Sequence, residues 1–343
     1  MNGIYNARSI NDIYKIFKAN YNFNIADFRI KKVPVSIFDK FKDELLTSSN
    51  KYLNYKFAHN YMTTCKNCYH ITYNIGSSDS IGSSDSAELN MYIMMRTKIT
   101  KKMKAEVFKN LYRVYLVSKI YDISKSGNYK FNYYIIMNPK KRFMPTKKGE
   151  LIDVININGG FTYINKNEIF IIRKEDYNKV IIHELLHHNV FIHRTHWDAS
   201  NIRRLKAHFN ICNDMLLIPN ETLVETYACV LNTIFYSLET NTSLKENFRK
   251  DQEHSIQLTK RILERQNGKK WNEKTHSYCY IVFKTILYVY FNLFLKIYKY
   301  HNDTEITDFI IKYSHNIYKK INNLKHIKKV PKLNTNGLKQ TIY

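Results

Sequence analysis

The spacing of apolar residues changes along the chain, and each change predicts a different kind of element. Short amphipathic helical patterns occupy residues 8–60, and a longer helical pattern runs from 87 to about 124. Alternating patterns then replace the helical ones. They predict strands over residues 131–138, 153–158, 161–165 and 168–173, with Gly159-Gly160 as a turn or bulge.

A second helical stretch begins near Glu175, and helical patterns fill the C-terminal half. They lie at about 200–213, 219–238, 243–266, 275–300 and 304–323. The order is therefore helices, a small sheet, one helix and then helices only. This order predicts an α+β fold, mainly helical, whose small mixed or antiparallel sheet packs on the helix that follows it.

The same patterns suggest four regions. Residues 1–74 form a predicted N-terminal helical region, and 75–86 read IGSSDSIGSSDS, a tandem duplication expected to be a flexible linker. Residues 87–323 form the predicted main domain. Residues 324–343 form a predicted basic tail.

One apolar run resembles a membrane span in length. It covers Tyr278 to Tyr298, but Lys284 and Asn292 interrupt it and tyrosine recurs throughout. A span needs about 20 mostly apolar residues. We therefore predict a buried helix with tyrosine hydroxyls at its margins, and no membrane span.

Composition allows predictions about binding partners and about the cellular compartment. The net charge of +25 suits an acidic partner or a nucleic acid, and the alternative is a solvated basic surface. The densest local cluster lies near the C-terminus: Lys319, Lys320, Lys325, Lys328, Lys329 and Lys332. The polar N-terminus lacks a signal-peptide core, and an odd number of cysteines, five, indicates reduced thiols. Both predict an intracellular protein.

The residues with the clearest chemistry lie in the helix near Glu175. His183-Glu184-Leu185-Leu186-His187 places two imidazoles one helical turn apart on one face, where both can bind one Zn²⁺. Glu184 lies beside them and can accept a proton from a metal-bound water. The surrounding residues of this helix are apolar, so a buried carboxylate there needs a partner.

VIIHELLHH resembles the active-site helix of the zincin metallopeptidases. The resemblance implies that His183 and His187 bind zinc, that Glu184 is the general base, and that a protein or peptide is hydrolysed. In zincins the edge strand of a sheet lines the cleft and pairs with an extended substrate. FTYIN (161–165) or EIFIIR (168–173) could take that role here.

The third zinc ligand is left open between two patterns. The gluzincin pattern takes a carboxylate from a second helix, and PNETLVETYACVLNTIF (219–235) offers Glu225 and, one turn earlier, Glu221. We favour Glu225, which lies in a largely apolar stretch, over Glu221, which is near the helix N-terminus. VETYACVLN also resembles a segment of uncharacterised HExxH proteins of large DNA viruses.

The metzincin pattern places a third histidine six residues after the second, and His193 stands there. Met215 offers a Met-turn. The glycine of that pattern is replaced by Val190, a β-branched residue unsuited to positive φ. The oxyanion stabiliser is equally open: Tyr227 is one candidate.

A function of another class is consistent with the same residues. The chain could be a basic nucleic-acid- or virion-associated protein whose zinc site is structural or vestigial. Cys65 and Cys68, with their CxxC spacing, resemble half of a structural zinc site, but the sequence contains no second CxxC.

Overall fold

The computed structural model describes most of the chain, and it divides that part into two compact units. The described residues are 3–46, 53, 55–74, 88–123, 131–147, 149–164, 166–189, 192, 196–298, 302–324 and 337–343. The sheet unit comprises Ala19–Lys141 and Asn158–Asn189. The helical unit comprises Met1–Lys18, Arg142–Ile157 and Val190–Tyr343. The predicted linker 75–86 lies outside the described residues, so the domain boundaries at its ends stay predictions.

Helices account for most of the regular structure, which confirms the mainly helical α+β class. They are α1 (Ile10–Asn20), α2 (Asp39–Leu46), α3 (Tyr55–Met62), α4 (Lys101–Tyr121), α5 (Val154–Ile157), α6 (Tyr177–Leu186), α7 (Ala199–His208), α8 (Asn220–Thr240), α9 (Leu244–Gln266), α10 (Lys284–Val289), α11 (Phe291–Ile297) and α12 (Asp303–Leu324). A π-helical segment, Cys279–Phe283, leads directly into α10. The run predicted as one helix over 275–300 is therefore divided into three pieces.

The sheet unit contains one mixed sheet. Its strands are β1 (Phe28–Val33), β2 (Asn67–Asn74), β3 (Glu88–Met95), β4 (Asn132–Ile136), β5 (Gly160–Thr162) and β6 (Glu168–Ile171). They lie in the order β1-β2-β3-β4-β6-β5. β3, β4 and β6 are parallel to one another, whereas β1 and β3 both pair antiparallel with β2, and β5 pairs antiparallel with β6. β5 is thus an edge strand.

The predicted strands at 131–138, 161–165 and 168–173 are confirmed as β4, β5 and β6, whereas the prediction at 153–158 is wrong. Val154–Ile157 is a short helix, α5. Asp153 accepts a hydrogen bond from the amide of Val154 at 2.6 Å, and Asn156 Oδ1 accepts one from the amide of Asp153 at 2.8 Å. Such local bonds favour a turn over a strand.

The helical assignment at the start of 87–124 and parts of the predicted N-terminal helical region are also wrong. Residues 88–95 are strand β3, while 28–33 and 67–74 are strands β1 and β2. In β3, Asn90 and Tyr92 are half-buried, whereas Met91 and Ile93 to Met95 are buried. The apolar run Met91 to Met95 is short, and periodicity alone cannot distinguish such a run from a buried helical segment.

A row of stacked rings crosses five strands on one face of the sheet. His70, Tyr92, Tyr134, Phe170 and Phe161 follow one another with centroid separations of 4.5 to 5.4 Å and interplanar angles of 10 to 17°. From α2, Phe41 stacks on Phe170 at 5.0 Å. Each ring pair adds to the burial energy of its neighbours. The row fixes the register of β2, β3, β4, β6 and β5.

α6, the helix that contains the HELLH motif, packs on β5 and β6 from the face of the sheet opposite the stacked rings. It contacts α4, β5 and β6. A Cβ on Gly160 would lie 2.7 Å from the carbonyl oxygen of Phe170, 2.7 Å from Ile171 Cδ1 and 3.1 Å from Val180 Cγ1. The absence of a side chain at Gly160 therefore allows β6 and α6 to approach the edge strand closely.

The helical unit is built around α8, whose residues 222–235 are all buried. Its C-terminal segment 337–343 packs on the unit rather than forming a solvated tail. Asp251 accepts hydrogen bonds from Thr341 Oγ1 and the amide of Ile342, both at 2.9 Å. Tyr343 stacks on Tyr236 at 3.9 Å. Four of the lysines predicted to form the basic cluster, at positions 325, 328, 329 and 332, lie outside the described residues.

Most of the apolar run 278–298 is buried within the helical unit, as predicted, although Asn292, Leu293 and Lys296 are exposed. Among the described residues, the length and composition expected of a membrane span occur in no single helix. They are met only by Cys279–Val289 and Phe291–Ile297 taken together, and these two segments are bent by 89°.

We predict that Gly160→Ala destabilises the protein by about 1–3 kcal/mol, the usual effect of overpacking a close contact. Phe170 offers a backbone atom there, which cannot move away as a flexible side chain can. The measurement is the free energy of unfolding in urea, with the exposed Ser36→Ala as control. An unchanged unfolding midpoint for Gly160→Ala would contradict the close packing of α6 on β5.

Candidate metal centre

Two imidazoles and a carboxylate come together on α6 because the helix keeps an apolar face against the sheet. Val180, Ile181 and Leu185 are buried, and they place His183 and Glu184 at 6% and 5% exposure. The helix begins after Asp176, whose φ is 59°, and His187 forms its C-terminal cap. His187 is half-buried. The motif therefore forms the last turn of α6 together with its C-terminal cap.

The ring nitrogens of the two histidines face each other. His183 Nε2 and His187 Nε2 are 3.2 Å apart, and the ring planes are inclined by 75°. Two nitrogens bound to one tetrahedral zinc at 2.0–2.1 Å are separated by roughly 3.4 Å. The pair therefore fits a single shared metal ion without rearrangement of the helix, as the HExxH spacing predicted.

Glu184 completes the set within the sheet unit. An ionised carboxylate this deeply buried needs compensation from a partner. A dication bound by its two neighbours is a large local positive charge and would supply part of that compensation. The residue types and their burial therefore agree with a metal at this position.

The residues directly after the motif tie the end of α6 to the sheet unit. His188 Nε2 is 2.9 Å from Thr162 Oγ1 of β5, and its ring meets Phe131 edge to face at 4.9 Å. Asn189 Nδ2 donates to the carbonyl of Tyr121 at 3.3 Å. In the helical unit, His208 is likewise within hydrogen-bond distance of a hydroxyl, with its Nε2 2.9 Å from Ser314 Oγ.

The carboxylates considered as a third ligand lie on α8 in the helical unit. Glu225 is fully buried, and its Oε1 accepts a hydrogen bond from Cys229 Sγ at 3.6 Å. Glu221 is half-buried in the first turn, where a carboxylate complements the helix dipole. Tyr227 packs edge-on against Phe291 at 5.5 Å. The choice of third ligand stays a prediction.

The residues of the metzincin pattern lie partly outside the described residues. His193 and Val190 lie outside the described residues. Met215, the residue considered for a Met-turn, is buried in the helical unit.

The helical unit also contains two titratable residues that the sequence did not single out. His276 is buried, burial lowers its pKa, and the charge of Glu221 opposes that shift. Glu273 is buried and accepts hydrogen bonds from the amides of Ser277 and Tyr278, both at 3.0 Å. Burial raises the pKa of Glu273 to about 7. The electrostatic interaction between Glu221 and His276 spans 55 positions, which no local pattern could indicate.

The two cysteines of the CxxC segment are buried in the sheet unit. Cys65 and Cys68 are buried, and burial raises their pKa values to about 11 and about 12. Cys65 donates a hydrogen bond to the carbonyl of Tyr61 at 3.3 Å. Both cysteines contribute to the core of the sheet unit as small buried side chains.

No protein-family model, curated protein or solved structure shows a significant similarity to this chain. The side chains themselves are therefore the basis for inferring function.

We predict that Glu273 makes the stability depend on pH between about 4.5 and 7. Its folded pKa is raised, so its contribution is full below the unfolded pKa of 4.5 and is lost as the pH rises through about 7. The wild-type free energy of unfolding should fall across this window relative to Glu273→Gln, which keeps an acceptor for Ser277. Urea titrations of both proteins at several pH values test this. Parallel pH profiles would contradict it.

Proposed function

We propose that this chain is a zinc-dependent metallopeptidase that hydrolyses peptide bonds, with Glu184 as general base. The observation that carries the proposal is the 3.2 Å separation of His183 Nε2 and His187 Nε2 beside the buried carboxylate of Glu184. A zinc ion held there would act as a Lewis acid and lower the pKa of a bound water to about 7.

The residues of the motif have distinct tasks in this proposal. His183 and His187 hold the ion on one face of α6. Glu184 accepts a proton from the attacking water and returns it to the leaving amine. The low polarity around α6 strengthens each of these electrostatic interactions.

An extended peptide is the substrate form that the sheet unit suits best. β5 is an edge strand, and its Thr162 is hydrogen-bonded to His188, one residue beyond the motif. A peptide that adds to this edge by main-chain hydrogen bonds would lie alongside α6. This supports the expectation that residues 161–165 bind substrate.

A catalytic zinc site has three protein ligands and a water. We propose Glu225 as the third ligand and keep Glu221 and His193 as alternatives. Glu225 is the more deeply buried of the two carboxylates, and a buried carboxylate is stabilised most by a metal ion. An intracellular setting is also part of the proposal: each of the five cysteines is a free thiol.

A second candidate function remains, a basic nucleic-acid- or virion-associated protein whose zinc site is structural or vestigial. The net charge of +25 favours it. The two candidates differ in what they require of Glu184, because a structural site needs only the ligands and not the general base.

We predict that Glu184→Gln keeps zinc and the fold but lowers peptide hydrolysis by about 10²–10⁴-fold, the range for loss of a general base. Zinc content by mass spectrometry and cleavage of a fluorogenic peptide library are the measurements. The control is Glu253→Gln, an exposed carboxylate on α9 that should leave both unchanged. If Glu184→Gln cleaves as fast as the wild type, Glu184 is not the base and the second candidate is favoured.

We predict that Glu225→Gln weakens zinc binding more than Glu221→Gln or His193→Ala, by about 10²-fold or more. The Gln side chain retains an acceptor for Cys229, so the variant should fold, as circular dichroism can check. Competition with a chromogenic chelator measures the affinity. Unchanged affinity in Glu225→Gln, together with a loss in either other variant, would reassign the ligand.

A further inference from the structure

Three segments of the sheet unit end or begin at the same end of the sheet. Val33 at the end of β1 pairs with Cys68 near the start of β2, and Cys68 pairs with Met94 near the end of β3. α4 begins a few residues after β3. Side chains from all of these segments are therefore neighbours at this end.

The neighbours are basic and exposed. We define the basic patch as Lys32, Lys66, Arg96, Lys98, Lys101, Lys102 and Lys104, all of which are exposed. Residues 28–38, 55–74 and 89–105, which supply the patch, contain ten Lys or Arg and no Asp or Glu. Asp27, Asp39, Glu88 and Glu106 stand directly outside these ranges, so basic residues outnumber the nearby acidic residues by ten to four.

Hydrogen bonds hold the loop between β3 and α4 against β2. The amide of Ile99 donates to Tyr69 Oη at 3.3 Å, and the carbonyl of Arg96 accepts from Asn67 Nδ2 at 3.0 Å. Arg96 Nε also donates to Thr64 Oγ1 at 2.7 Å. These hydrogen bonds therefore hold the loop that contributes Arg96 and Lys98 to the basic patch.

Four lysines of the basic patch lie around the N-terminus of α4, where their positive charge destabilises the protein when no anion is bound. Thr100 caps α4 by accepting a hydrogen bond from the amide of Met103 at 3.2 Å. A helix N-terminus carries a partial positive charge and favours acidic residues. Lys98, Lys101, Lys102 and Lys104 surround it instead. A bound anion would offset both the repulsion among these lysines and their repulsion from the helix dipole.

We propose that the basic patch binds the phosphate backbone of a nucleic acid. Neighbouring β-strands lie about 4.8 Å apart, so the patch residues at the ends of β1, β2 and β3 cover roughly 10 Å. This distance corresponds to about three phosphate repeats of one nucleic-acid strand, measured along the axis of a duplex. An anionic membrane is less well matched. Among the described side chains of the three segments, Val35 is the one large apolar residue that is exposed, and membrane-binding surfaces add inserted apolar groups to their charges.

The test replaces Lys98, Lys101, Lys102 and Lys104 with Gln in the full chain. Gln preserves helix propensity, and removal of positive charge from the first turn relieves α4, so the variant should fold. Binding of a fluorescent single-stranded oligonucleotide and of its duplex is measured by anisotropy between about 50 and 200 mM salt. Affinity should fall roughly tenfold or more. The dependence of log K on log salt should become shallower by about 0.7–0.9 for each phosphate that the variant no longer neutralises.

The matched control replaces four exposed lysines of the helical unit, Lys245, Lys250, Lys269 and Lys270, with Gln. It has the same net charge as the patch variant and should retain most of the affinity. Equal losses in both variants would mean that charge acts non-specifically and would overturn the proposal. So would binding of phosphatidylserine vesicles, sensitive to the patch, without binding of either oligonucleotide. None of these outcomes depends on peptidase activity, so the patch and the proposed function are tested separately.

Discussion

The cost of placing a carboxylate and two imidazoles on an otherwise apolar helix governs the arrangement around α6. Glu184 and His183 are almost excluded from solvent, and such groups persist only where they are compensated. The helix must also be held firmly, since a ligand pair is useful only if its geometry is fixed. Gly160 allows the close approach of α6 to the edge strand, and His188 and Asn189 tie its end to Thr162 and Tyr121. The contacts that hold the motif in place and the edge strand β5 next to it are therefore parts of one local structure.

The helical unit meets the same cost by direct hydrogen bonding. Asp251 is fully buried, and it accepts bonds from Tyr288, Thr341 and the amide of Ile342. Lys284 is almost as deeply buried and donates to Ser255 Oγ at 2.9 Å. These groups are explained by their protein partners and need no ligand. On α6, the Nε2 atoms of His183 and His187 lie 3.2 Å apart, a distance that also suits a common metal ion.

The basic patch and the HELLH motif occupy different parts of the sheet unit. The HELLH helix lies at the β5 edge, whereas the basic patch lies at the ends of β1, β2 and β3. The sequence directed attention to the lysines near the C-terminus. Four of those lysines lie outside the described residues, whereas the patch comes from segments that are far apart in sequence. Lysines that are unremarkable one at a time become a surface only when a sheet aligns the segments that carry them.

The sequence by itself determined the features that depend on near neighbours. The i, i+4 spacing of His183 and His187 places both on one face of any helix, and short strand-like runs identified β4, β5 and β6, because both signals are local in the sequence. The strand signal failed for β3, whose short apolar run resembles a buried helical segment, and for α5, where side-chain bonds to the backbone outweigh a strand-like pattern. Only the tertiary structure decided the strand order, the electrostatic effect of Glu221 on His276, the convergence of the patch, and the assembly of each unit from separate parts of the chain. These depend on contacts between distant residues, whose free energy is gained only when the whole chain has packed.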